Sequence, residues 1–347
     1  MYLINGKYLE NTVTGVERFA RELVVRLDHL VGKDKIKLAV SNGAVGIPDL
    51  ENISVVEVGK HKGGLWEELD LPWFAARHKY TLVNLCNAAP LLKPDITCIH
   101  DMQLRVNPQF YTKRYVAWAG VNLENALRRA KSVITVSEFS KSEIRRYFHP
   151  QMPIDVIYNS WEHEEYIKAD GRIFKKLPFL RDKDFYFAMS SMAPNKNVKW
   201  IAETARLNPD KYFVVSGNIN RKVFGNPEDM EEVKNFIFAG YLSDGETKAL
   251  MTHCKAFLFP TFYEGFGIPP MEAMSCGADV AVSDRSCMRE IYGDAVAYID
   301  PDIPCKNMDS IVFPEKEKGQ KLLKRYSWDK SAQKLLEILD RYEEKGR

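Results

Sequence analysis

The chain has 347 residues, 45% apolar and 28% charged, which is enough material for two cores of about 150 residues each. A net charge of only +2 gives no support for nucleic-acid binding, and six scattered cysteines without a C-x-x-C pair or a histidine at ligand spacing argue against structural zinc. No apolar run approaches the roughly 20 residues of a membrane span, and the opening MYLINGKYLENTV has no basic segment followed by an apolar core, so a cytoplasmic protein with reduced thiols is expected.

Short apolar runs alternate with helix-like segments, the pattern of parallel sheets covered by helices. In the first half the strand candidates are 2–5, 36–40, 53–58, 81–85, 96–100, 133–137 and 155–159, with helical spacing at 16–27 and around 122–130. The polar stretch 162–184 reads as the linker. The pattern then restarts with strands at 185–190, 212–216, 235–240, 256–260 and 278–283, and helices at about 198–207, 246–254 and after residue 268. The fold class expected is α/β, with two doubly wound Rossmann-like domains facing a cleft: 1–165, then 166–326, with a C-terminal amphipathic helix at 327–347 packing back on the first. Ligands in such sheets gather at the carboxyl ends of the strands.

The stretch FYEGFGIPPMEAMSCG (262–277) carries the strongest chemical signal. AFLFP reads as a buried strand that delivers Glu264 into a loop at its carboxyl end. Gly265 and Gly267 allow backbone N–H groups to approach a ligand, and Pro269 and Pro270 suit the first turn of a helix. That helix start, with the N–H groups from Phe266 to Ile268, favours an anion, above all a phosphate. Glu272, just inside the helix, can accept hydrogen bonds from a pair of vicinal hydroxyls such as those of a ribose, while Glu264 would meet the other end of the same ligand. Ribose, diphosphate and sugar in that order describe a nucleotide sugar.

The E-G-F-G-I-P-P-M-E run resembles the E-x7-E signature of retaining family 4 glycosyltransferases of the GT-B fold, of the bacterial polysaccharide, capsule or O-antigen type. TGVERF (14–19), IHD (99–101), VITVSEFSKSEI (133–144), VIYN (156–159), PNKN (194–197), GYLSDGE (240–246), GDAVAYIDP (293–301) and YSWDKSA (326–332) follow in the family's order and spacing, so the resemblance covers nearly the whole chain. It implies that the second domain binds a nucleoside-diphosphate sugar, that the first binds the acceptor, and that a front-face reaction lets the leaving phosphate help deprotonate the incoming hydroxyl.

Lys196, between a strand and a helix, would neutralise the charge that develops on the leaving diphosphate. The family often has Arg just before this lysine; here Asn195 stands there, with Arg221 or Lys222 as candidate substitutes. Gly15 opens a helix whose N–H groups would meet the diphosphate from the first domain. By the resemblance His100, at the end of ITCIH, would contact the transferred sugar, with Asp101 orienting it or binding acceptor; Glu290 matches a family acid, but Arg289 replaces the usual preceding proline. Ser137 or Ser140 reads as a helix cap, with Glu138 in the first turn.

The expected activity is transfer of a hexosyl group, such as mannosyl, glucosyl or rhamnosyl, to a hydroxyl of a saccharide or lipid-linked saccharide in cell-surface polysaccharide synthesis. The alternative is a noncatalytic sugar-nucleotide-binding subunit. No cofactor and no metal are expected: the D-x-D triplets Asp182-Lys183-Asp184 and Asp300-Pro301-Asp302 lie before a strand and in a turn, away from where ligands gather. Residues 105–149 hold nine Lys/Arg against three acids, with aromatics interleaved. Such a surface suits peripheral docking on anionic lipid at the inner face of the plasma membrane.

Overall fold

The computed structural model describes residues 1–181, 183–190, 193–217 and 233–345. The chain divides into two compact units, one formed by Met1–Asn159 together with the chain from Ser327 onwards, the other by Ser160–Tyr326.

The first unit is built on a seven-stranded, all-parallel sheet of β1 (Tyr2–Asn5), β2 (Ile36–Val40), β3 (Ser54–Glu57), β4 (Thr81–Asn84), β5 (Ile96–Cys98), β6 (Ser132–Thr135) and β7 (Ile154–Val156), in the spatial order 3-2-1-4-5-6-7. Register is fixed by pairs such as Ile4 with Leu38 and with Val83. Strands β1, β5 and β6 are buried along their whole length, which is why they read as apolar runs rather than as alternating patterns. Helix Gly15–Asp28 lays Phe19, Ala20, Leu23, Val24 and Leu27 against the core at the three-to-four-residue spacing the sequence shows.

The last helix, Trp328–Lys345, belongs to this same unit. Trp328, Ala332, Leu335, Ile338 and Leu339 are fully buried, the edge of Phe19 meets the Trp328 ring at 6.3 Å, and the Tyr2 hydroxyl donates to the Leu339 carbonyl. Its apolar stripe thus completes the core it returns to.

The second unit holds a six-stranded parallel sheet of β8 (Phe185–Met189), β9 (Tyr212–Ser216), β10 (Phe236–Gly240), β11 (Ala256–Phe259), β12 (Asp279–Ser283) and β13 (Ala297–Ile299), in the order 10-9-8-11-12-13. Chain order reverses between β8 and β11, leaving a crevice at their carboxyl ends, the place where open sheets of this kind bind ligands.

Three features differ from the sequence reading. The polar stretch 162–184 is packed structure of the second unit: Ile173, Phe174 and Leu180 are buried, and Phe174 lies edge-on to His253. The helix expected around 122–130 starts at Lys113, where the Thr112 hydroxyl accepts from the Tyr115 N–H. Strand β13, three residues long, was not expected as a strand; it pairs with β12 through Ala281–Ala297 and its neighbours.

Candidate functional site

In the second unit the loops after β8 and β11 bring two of the expected residues together. Lys196 Nζ lies 2.7 Å from Glu264 Oε1 and 5.5 Å from the centre of the Phe259 ring. An ammonium has three N–H donors, so the ion pair leaves two for another anion. The lysine loop is fixed by Asn197, which adopts a left-handed backbone (φ +53°) and donates from Nδ2 to the carbonyls of Pro260 and Pro301, joining the ends of three strands. The Phe262 N–H donates to the Asn195 backbone carbonyl, and Asn195 Nδ2 reaches the Tyr263 carbonyl at 3.5 Å, so the two loops are seated on each other here.

On the far side, the Glu264 N–H donates to the hydroxyl of Ser286, itself at φ +50°. Gly267 caps helix Ile268–Ser275 at φ +83°, and a Cβ there would lie 2.8 Å from Met288 Cε and 3.2 Å from the Phe259 ring. The left-handed backbone therefore favours glycine, and a side chain there would also have to displace the flexible end of Met288. Gly265 is buried without a positive φ, and Phe266 and Ile268 bury their side chains, Phe266 edge-on to Tyr326 at 5.6 Å. What Phe266 and Ile268 can offer a ligand is backbone, as Pro269 and Pro270 occupy the next helical positions without N–H groups.

Glu272 has partners that sequence reasoning missed. His163 Nε2 lies 2.7 Å from Glu272 Oε1, and His163 is only 3% exposed. Glu164 beside it is also buried, its Oε2 has no hydrogen-bond partner, and burial, then the neighbouring Glu272 charge, push its carboxyl up to about 7. One donor atom from each of His163, Glu164 and Glu272 falls within 4.8 Å of the others, the only such trio among the described residues that could hold a cation. At 2.7 Å the His163–Glu272 contact has the length of a hydrogen bond, in which Nε2–H donates to the carboxylate. The Asp300–Asp302 triplet forms a turn, with the Asp302 N–H on Asp300 Oδ1 and the Asp302 carboxylate on Arg285.

In the first unit Gly15 is exposed at the start of its helix, after Thr14, whose N–H donates to Glu17. His100, after β5, is 5% exposed; Nε2–H donates to the Leu85 carbonyl at 2.9 Å, Phe19 lies edge-on at 4.9 Å, and burial pushes the imidazole down to about 4. It is a neutral ring whose Nδ1 keeps an acceptor lone pair. Asp101 accepts from the Gln103 N–H, and Ser137 caps helix Glu138–Phe148 through the Ser140 N–H. Arg289 pairs with Asp284 and stacks on Tyr298 at 4.2 Å, which accounts for an arginine where proline is usual. Arg221, Lys222 and Asp182 lie outside the described residues.

Residues 170–345 match the family described as glycosyl transferases group 1. The chain belongs to this family. Its fold is that of GT-B glycosyltransferases: sucrose-phosphate synthase from Thermosynechococcus elongatus superposes over 99% of both chains with a TM-score of 0.72 at 13% identity. Among curated relatives, the O-antigen chain mannosyltransferase B of Escherichia coli is 28% identical over 84% of this chain and 84% of its own length. The O-antigen chain mannosyltransferase RfbU of Salmonella typhimurium is 27% identical over 66% of this chain and 65% of its own. Among the described residues, no helix of this glycosyltransferase is long and apolar enough to cross a membrane.

Proposed function

We propose that the protein is a retaining mannosyltransferase that moves a sugar from a nucleoside-diphosphate donor to a hydroxyl of a saccharide or lipid-linked saccharide in cell-surface polysaccharide synthesis. The observation that carries this reading is the Lys196–Glu264 pair at the crevice between β8 and β11, next to the glycine-capped helix start. The choice of mannose follows the names of the two O-antigen relatives.

In this reading the bond from the sugar's anomeric carbon to the diphosphate oxygen breaks on the face where the acceptor oxygen bonds to that carbon. The hydroxyl proton passes to the departing phosphate. Lys196 and the backbone N–H groups of Gly265, Phe266, Gly267 and Ile268 stabilise the charge that grows there. Glu272 accepts from the ribose hydroxyls and Glu264 from sugar hydroxyls, and in the first unit the neutral Nδ1 of His100 is an acceptor suited to a hydroxyl.

An exposed surface of the first unit supports a peripheral membrane location. On helix Lys113–Arg129 the side chains of Tyr115, Trp118 and Val121 are about half exposed in a segment rich in Lys and Arg. Exposed aromatics beside cations suit a cytoplasmic enzyme resting on an anionic leaflet.

Incubating the protein with GDP-mannose, UDP-glucose and dTDP-rhamnose, and measuring release of nucleoside diphosphate, tests the reading. GDP-mannose turned over by wild type and not by Lys196→Ala supports it. Nucleotide binding without turnover of any donor would instead make the chain a noncatalytic binding subunit.

A further inference from the structure

The buried group around Glu272 is absorbed neither by the family motif nor by the proposed chemistry. Glu272 lies on helix Ile268–Ser275, whereas His163 comes from the 3-10 helix Glu162–Tyr166, 109 residues earlier. That short helix is held independently of Glu272: the Trp161 indole N–H donates to the Leu323 carbonyl at 3.0 Å, and the Lys248 ammonium donates to the Glu164 carbonyl. His163 is therefore a fixed post rather than a side chain following its partner. A 2.7 Å N–H···O contact to a carboxylate is the length of a charge-assisted hydrogen bond.

We propose that His163 is a positioning residue that holds Oε1 of Glu272 through Nε2–H, so that the carboxylate's remaining acceptor sites are pre-oriented for the two ribose hydroxyls of the donor nucleotide. This rests on the reading of Glu272 as the ribose acceptor. A glutamate side chain free to rotate would have to be ordered at each binding event, and the histidine removes that cost in advance. Glu164 supports the arrangement. It is buried beside the pair with Oε2 unpartnered, and in its neutral form it leaves Glu272 as the single anion of the group. The other titratable groups facing Glu164 are His163, Lys248 and Asp244.

The test is calorimetric binding of GDP and UDP, each against its 2′-deoxy counterpart, to wild type, Glu272→Ala, His163→Ala and His163→Gln. The wild type should prefer the ribonucleotide, and Glu272→Ala should erase the preference. His163→Ala should weaken ribonucleotide binding about tenfold, the effect of one hydrogen bond to a charged group, while leaving the deoxynucleotide nearly unchanged. His163→Gln, whose amide can donate to the same oxygen, should recover most of the loss. A preference that survives Glu272→Ala would sink the ribose reading itself. A preference erased in Glu272→Ala but kept in His163→Ala would sink the positioning role alone. Equal weakening of both nucleotides in His163→Ala, with a lowered melting temperature, would reduce His163 to a packing residue and overturn the proposal.

Discussion

Replacing Glu164 with glutamine should change how stability depends on pH. The carboxyl is 6% exposed, and burial followed by the Glu272 charge raises it from an ordinary 4.5 to about 7. Below pH 4.5 the group is neutral in both folded and unfolded chains and contributes no pH dependence. As pH rises from 4.5 to 7 the unfolded chain releases a proton that the native protein retains, so stability falls; above 7 the loss is complete. One pKa unit corresponds to about 1.4 kcal/mol, so the wild type should lose about 2.5 kcal/mol between pH 5 and pH 8 through this residue alone. Glutamine does not ionise, and Glu164→Gln should lack that slope. For a unit of this size 1 kcal/mol moves the melting temperature by about 2–4 °C, so the variant should gain about 5–10 °C on wild type between the two pH values. Thermal unfolding followed by calorimetry across pH 5–8, with the exposed neighbour variant Glu165→Gln as control, reads this directly. Parallel curves for wild type and Glu164→Gln would refute the assignment of a neutral, buried Glu164.

Lys196→Ala should lower turnover by about two orders of magnitude, the effect of removing one charge-stabilising donor from a preorganised site; steady-state rates near wild type would assign the phosphate charge to another cation. Gly267→Ala should destabilise the protein by about 1–2 kcal/mol, from the left-handed backbone, as read by denaturant unfolding. Charge reversal at Arg128 and Arg129 should weaken binding to anionic liposomes, and raised salt should do the same; no binding of wild type at low salt would refute membrane docking. Activity should survive excess EDTA, and a complete loss restored by Mn²⁺ would overturn a mechanism in which Lys196 and backbone N–H groups meet the diphosphate.

The strands were legible because parallel sheets bury both faces. Every residue of Tyr2–Asn5, Ser132–Thr135 and Ala256–Phe259 is buried, and each stands out as an apolar run between polar segments. The three-residue strand Ala297–Ile299 is too short to separate from the turn at Asp300–Asp302 that follows it. Residues 162–184 looked like a linker because their described structure comes as 3-10 turns and a single four-residue helix, which have no room to display a period, and two of the residues packed there, His163 and Glu164, are polar; Ile173, Phe174 and Leu180 are the apolar ones. Within the site, Glu264 and Glu272 were visible because one strand, one turn and one helix carry both. His163 has no local signature: a polar residue among acids acquires its partner only when the chain folds across 109 positions.

The two carboxylates of the motif are held in different ways, and the difference bears on their division of labour. The two glutamates are equally covered, at 13% side-chain exposure each, and the pairs differ at the cationic end: Lys196 keeps 23% exposure on a long flexible stem, whereas His163 keeps 3%. An arriving diphosphate can draw on the ammonium, and a sugar hydroxyl on the carboxylate, at small cost. His163, by contrast, is buried on a separately anchored turn, so breaking its bond to Glu272 would strand a polar group away from water, a loss of about 1–3 kcal/mol. The group expected to meet the unchanging part of the donor, the ribose, is the rigid one. The groups expected at the reacting end, where charge must move from sugar to leaving phosphate, form the pair that rearranges cheaply.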